Sequence, residues 1–178
     1  DFMWKDYQAR NNNELLAILG NFTNRAVVLT QKYYNGEVPA RGELQDYDKE
    51  VLGVLEGMPM VIATYIERYR FRDALSELMN LARLGNKYLA DTEPWKLIKT
   101  DEERVKTIMN IALQISASLS ILMEPFLPTS AQKLASMLNK PLGTWADAGS
   151  ADLLATGHVI GTPELMFEKV EDAAVEGR

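Results

Sequence analysis

Two residue types able to read a nucleic-acid base stand four positions apart in this chain, Asn21 and Arg25. On a helix that spacing puts them on one face. The stripe Ile18, Asn21, Arg25, Val28 and Lys32 is offset from the Leu19, Phe22, Ala26 seam by roughly a quarter to a third of a turn. It therefore reads as a partly polar edge of a helical bundle. Taken alone, such an Asn and Arg are ordinary surface residues. Further on, Pro94-Trp95 offers a ring at a rigid helix start, because proline at the first helical position fixes the backbone. A tryptophan so placed either closes one end of the core or stacks on an unpaired base, a contact worth ~1–3 kcal/mol. The residues themselves leave both readings open. Arg68, Arg70 and Arg72 surround Tyr69 and Phe71, and steps of two do not share a helical face. A helix junction is their natural place, where capped carbonyls and solvated charge explain them better than phosphate binding does.

Other chemistry is excluded by what is missing. The chain has one histidine, His158, and no cysteine, so it holds no Ser-His-Asp or Cys-His set and no thiolate metal site. Neither GxxxxGK[ST] nor GxGxxG occurs. The carboxylates cluster at helix starts and on an acidic second helix, where solvation accounts for them. An independent enzyme is the reading with least support: no catalytic, metal or cofactor-binding residues are expected in this chain.

The elements that must position these residues read as helices. Leu15, Leu19, Phe22, Ala26, Leu29 and Tyr33 recur in steps of four and three, predicting a helix over 11–34 stopped by Asn35-Gly36. A second helix over 44–69 carries Leu44, Tyr47, Val51, Leu55, Met58, Ile62 and Tyr65, with Pro59 expected to kink it. A third over 71–89 places Phe71, Leu75, Leu78, Ala82, Gly85 and Leu89 on one face, and the small Ala82 and Gly85 allow a close neighbour. Pro94 breaks the pattern and pushes Glu93 out of helical geometry. Thr100 with Glu103 makes a capping box for a helix to about Met123, whose residues 107–123 carry no charge. Such a helix belongs at the bundle centre. Thr129-Ser130 caps a short helix to about Leu138, and His158-Val159-Ile160-Gly161 reads as a short strand or extended segment packed on the bundle. The expected fold is all-α, an antiparallel bundle of about five helices with an extended C-terminal tail.

At 178 residues and 47% hydrophobic content the chain suits one globular domain. No run of about 18 apolar residues is present, no secretory signal opens it, and no membrane partner is expected. Absence of cysteine is compatible with the cytoplasm. The net charge is −6, residues 43–67 being acidic and residues 68–106 slightly basic. Any nucleic-acid partner must then be held by a local site rather than by a broad basic face.

Taken together, these residues resemble a known family. The run Asn12-Asn13-Glu14-Leu15, continued by Leu19-Gly20-Asn21-Phe22-Thr23-Asn24-Arg25, resembles the opening helix of the anticodon-binding domain of methionyl-tRNA synthetases. Asn86-Lys87-Tyr88-Leu89 with Glu93-Pro94-Trp95-Lys96-Leu97, the Pro125-Phe126-Leu127-Pro128 turn, and the tail from His158 through Asp172 are similar too. Asp1 to Asp6 looks like the join from a catalytic domain, and a start without methionine suggests a piece of a longer chain. The resemblance implies a join over 1–10, an anticodon-binding bundle over 11–140, and a packed tail over 141–178. It implies the tRNA anticodon loop as partner, with its CAU triplet splayed out, together with the catalytic domain of the same parent. By the same resemblance Trp95 stacks on a flipped base, Asn21 and Arg25 bond base edges, and Pro94 shapes the site. The family's HIGH and KMSKS signatures are missing, so this chain should not itself carry the parent reaction, ATP-dependent ligation of methionine to tRNA. Two alternatives remain open: the same bundle from another class I synthetase, and a helical protein-interaction module with Trp95 in its core.

Overall fold

A computed structural model describes the backbone of residues 2–162 and the side chains from residue 13 onward. Its elements are α1 (Phe2–Tyr34), α2 (Asp46–Glu67), α3 (Phe71–Thr92), the single turn α4 (Pro94–Leu97), α5 (Glu102–Leu122) and α6 (Pro128–Met137), followed by a 3-10 turn at Trp145–Asp147. The described residues form an all-α bundle, as the periodicity predicts. The run 165–172 used in the resemblance lies outside them.

The seams become the core. Leu15, Leu19, Phe22 and Ala26 of α1, Val51, Leu55 and Ile62 of α2, and Leu78, Ala82 and Leu89 of α3 are fully buried. Asn35 and Gly36 both take positive φ and end α1 where expected. α5 lies at the centre, packed by α1, α2, α3 and α6. By length and composition alone this helix could cross a membrane, its most apolar window having mean hydropathy 1.4, but 94% of that window is buried within the bundle. Its apolar surface is spent on the core. The polar side chains that interrupt it hold loops down. Asn110 Nδ2 donates to Pro39 O at 2.8 Å, and Gln114 exchanges two bonds with the backbone of Leu154, at 2.7 and 2.8 Å. Asn110 and Gln114 are thus paired, as low-dielectric surroundings require.

Several expectations are corrected. α1 opens at Phe2, so the helix predicted over 11–34 begins earlier than its periodicity suggests. The cap of α5 is Asp101, whose Oδ1 accepts from Arg104 N at 3.2 Å, not Thr100 one residue earlier. α6 starts with Pro128 at its first position instead of a Thr129-Ser130 cap. Phe71 leaves the α3 seam and is 47% exposed, edge-on to Tyr69 at 6.3 Å. As expected, Pro59 lies inside a single α2 and does not divide it into two helices. Having no N–H, it leaves the Leu55 carbonyl without its helical donor. That carbonyl is approached by Gly149, where a β-carbon would stand 3.1 Å from it. Nearby, Trp145 Nε1 donates to Pro59 O at 3.0 Å.

Two tertiary ties hold distant parts of the chain together. Asp48 at the start of α2 is wholly buried, accepts from Tyr88 of α3 at 2.7 Å, and pairs through both oxygens with Arg104 of α5 at 2.5 and 2.8 Å. In the second tie, residues 157–161 close over the loop after α1. Val38 N donates to His158 O, Gly157 N to Val38 O and Ile160 N to Gly36 O, each at 2.8 Å. Val159 pairs with Glu37 in an isolated antiparallel bridge. His158 packs with this segment, Nε2 lying 2.8 Å from Leu138 O.

Candidate nucleic-acid interface

The break between α3 and α4 builds the first half of the site. α3 ends with Glu93 N donating to Leu89 O at 2.9 Å. Glu93 itself takes the left-handed conformation, φ 47° and ψ 60°. Such a residue without glycine's freedom carries strain, and the backbone turns sharply there. Pro94 is buried at the first position of α4, and Glu93 O accepts from Lys96 N and Leu97 N at 3.0 and 3.1 Å. The turn carries Trp95 back against α1. Its ring is half-buried, one part packed on the core.

α1 supplies the second half. Arg25, partly exposed, holds its guanidinium carbon 5.5 Å from the Trp95 ring centroid, within cation–π range. One turn earlier Asn21 is exposed, and its Nδ2 donates to Asn86 Oδ1 of α3 at 3.2 Å. Asn86 Nδ2 in turn donates to Ile18 O at 3.1 Å. This chain of bonds fixes which end of each amide is which. It aims no described partner at Asn21 Oδ1, which stays available as an acceptor. Asn21, Arg25, Pro94 and Trp95 therefore come together in one patch, and the structure adds Asn86 to it. In the sequence Asn86 carries no signal of its own role. Its significance comes from lying across from Asn21, sixty-five residues away in the chain.

The close approach of α1 and α3 at this patch rests on Gly85. A β-carbon there would lie 2.7 Å from the buried Phe22 ring. Two residues after Asn86, Tyr88 donates to Asp48, which also binds Arg104. Burial alone would raise the Asp48 carboxyl, but the bonds from Arg104, Tyr88 and Gln45 N outweigh it and hold it below its ordinary value. Tyr88 is pushed well above its ordinary range, by burial first and then by its bond to Asp48. Lys87 Nζ, next to Asn86 in the chain, and Tyr47 Oη both donate to Asp91, at 2.7 and 2.5 Å. Asp91 is lowered, chiefly by the bond from Lys87.

Among the described residues no three His, Asp or Glu side chains converge as a metal site. The patch offers a π-face, a planar donor fork and two oriented amides. That set can stack on and hydrogen-bond a splayed base, and it contains no nucleophile or general base poised for a bond-breaking step.

Comparison with known proteins gives three findings. The family model described as the anticodon binding domain of methionyl tRNA ligase matches residues 38–177, a span that takes in Pro94 and Trp95. The methionine–tRNA ligase of Bacteroides fragilis strain YCH46 is 59% identical over 178 residues, covering 100% of this chain and 26% of that protein. That of Parabacteroides distasonis is 60% identical over 179 residues with the same coverage. The chain thus spans about a quarter of the length of the curated relatives it matches. Among solved structures, the free-state methionyl-tRNA synthetase of Mycobacterium tuberculosis superposes with a TM-score of 0.79 over 88% of this chain and 32% of that one, at 24% identity. At that identity the likeness is one of fold.

Proposed function

The chain belongs to the family of anticodon-binding domains of methionyl-tRNA ligases, and from that premise we propose that it recognises the CAU anticodon loop of methionine tRNA through Asn21, Arg25, Pro94 and Trp95. The observation that carries this reading is the contact of Arg25 with the half-buried Trp95 ring beside the Asn21–Asn86 pair. Trp95 is the stacking platform for an unpaired base, and Pro94 fixes its backbone. Arg25 and Asn21 then meet base edges. In the free protein Arg25 occupies the ring, a contact worth about 0.5–1 kcal/mol at an exposed site. Base stacking on an aromatic ring is worth about 1–3 kcal/mol. The base therefore displaces the guanidinium, which is freed to bond an edge.

Recognition of this kind needs no cofactor in the chain. The other partner is the catalytic domain of the parent protein, which carries out the ATP-dependent ligation of methionine to tRNA in the cytoplasm. This chain contributes the reading of the triplet.

The test is tryptophan fluorescence during titration with a CAU anticodon hairpin, against the same hairpin with its first anticodon base changed. Trp4, Trp95 and Trp145 all report, so Trp95→Phe is titrated in parallel. Saturable quenching that requires the CAU loop and fades in Trp95→Phe is the expected result. Equal binding of both hairpins would refute anticodon reading.

A further inference from the structure

α3 keeps one face in solvent along most of its length. Arg72, Ser76, Asn80, Arg83 and Lys87 recur at steps of four, four, three and four, and all five are exposed. Between them Leu75, Leu78, Leu81, Ala82 and Gly85 are buried. At about 100° per residue the five fall within an arc of roughly 80°. The arc holds three cations, two neutral hydrogen-bonding side chains and no carboxylate. Asp73 and Glu77 of the same helix fall outside it. Arg83 Nη1 donates to Asn80 Oδ1 at 3.3 Å, which sets those two side by side. In a chain of net charge −6 such a line is a local feature and not the overspill of a basic protein.

The line leads somewhere. Its C-terminal end adjoins Asn86, the partner of Asn21 in the candidate interface. From there to the start of α3 is fifteen residues, about 22 Å at 1.5 Å per residue. A loop read at Trp95 belongs to a base-paired stem, and that stem carries a charge on every nucleotide. Two of the three cations on the arc now rest against carboxylates at the surface. Arg83 Nη2 lies 3.2 Å from Glu14 with both side chains about half exposed, and Lys87 Nζ lies 2.7 Å from Asp91. Exposed pairs of this kind contribute about 0–1 kcal/mol and are screened by salt. A phosphate can take over either cation at little cost.

We propose that the outer face of α3, from Arg72 to Lys87, carries the phosphate backbone of the stem next to the anticodon loop. The proposal rests on the anticodon reading above and extends its footprint from bases to backbone. Phosphate contacts fix register and orientation while base contacts specify. In this division Ser76 and Asn80 donate to phosphate oxygens between the flanking cations.

The test compares two RNAs on the 178-residue chain across a salt series. One is a CAU anticodon-arm hairpin, the other a single-stranded oligonucleotide of the same loop sequence. Arg72→Gln, Arg83→Gln and Lys87→Gln are each expected to weaken hairpin binding by roughly threefold to tenfold and to flatten its log–log salt slope by about 1. Binding of the loop oligonucleotide should change much less. Glu14→Gln, which releases Arg83, should leave hairpin binding intact or tighten it. Lys49→Gln, an exposed cation on α2, controls for bulk charge. Wild-type affinity and slope in all three α3 variants, or an equal loss in Lys49→Gln, would overturn the proposal. It would leave anticodon reading standing as long as a changed loop still abolished binding. If the changed loop bound wild-type protein equally well, the anticodon reading itself would fall, and the stem track with it.

Discussion

Arg25 and Trp95 are each other's partner in the free protein, and the proposed recognition gives both to the bound base. This exchange makes Trp95 separable from the core. Its ring is only half-buried, whereas the core aromatics Phe22 and Tyr88 are fully enclosed. Trp95→Ala is therefore expected to cost little thermal stability while weakening CAU hairpin binding by roughly 5- to 150-fold, the equivalent of about 1–3 kcal/mol of stacking. Melting curves and the same titration check it. A large fall in melting temperature with unchanged RNA affinity would make Trp95 a core residue. How these residues could be found in the sequence is a matter of range. The spacing of Asn21 and Arg25 and the Pro94-Trp95 break are local patterns that helix geometry fixes. Asn86 is a site residue only because α3 sets it opposite Asn21, and no local pattern encodes that. Thr100 lies one residue short of the true cap for the same kind of reason, since two neighbouring capping types differ only in which backbone conformation the tertiary fold imposes.

Helix packing carries the site, and Gly85 and Gly57 show how. Any residue larger than glycine at position 85 drives its β-carbon into the enclosed Phe22 ring, whereas at Gly57 nothing lies within 4 Å of that atom. Both lie in helices, so alanine brings the same propensity gain, about 0.8–1 kcal/mol. At position 57 that gain stands alone, and Gly57→Ala should raise stability by about that amount. At position 85 overpacking of about 1–3 kcal/mol opposes it. Because Phe22 has no solvent to retreat into, Gly85→Ala should lose stability and also weaken RNA binding by parting Asn21 from Asn86. Denaturant melts of the two variants side by side settle the comparison. The small face Ala82–Gly85 is legible in the sequence as a place of close approach. Phe71 is not legible as exposed, because periodicity places a residue on a face without saying whether another element covers it.

Across the molecule, Asp48 joins three helices through Tyr88 and Arg104. Its carboxyl is lowered in the folded state, so the stability it contributes is present above the ordinary carboxylate range. That contribution is lost as pH falls through the lower folded value. The wild type should thus begin to lose this contribution only below about pH 4. Arg104→Gln leaves a buried carboxylate without its bidentate partner, at about 3–5 kcal/mol. Burial then raises the carboxyl, and the sign reverses: the variant should regain stability as pH drops from about 7 towards 4.5, where the wild type is flat. Urea unfolding at the two pH values reads this, and Asp48→Asn combined with Arg104→Gln should recover much of the loss. The pairing of residues 157–161 with the loop after α1 has a consequence in time. Val38 leaves the ribosome well before Gly157, by roughly 6–24 s at about 5–20 residues per second. Throughout that interval the loop after α1 presents an open amide and carbonyl, so translation of residues 157–161 completes a turn that was made well before it.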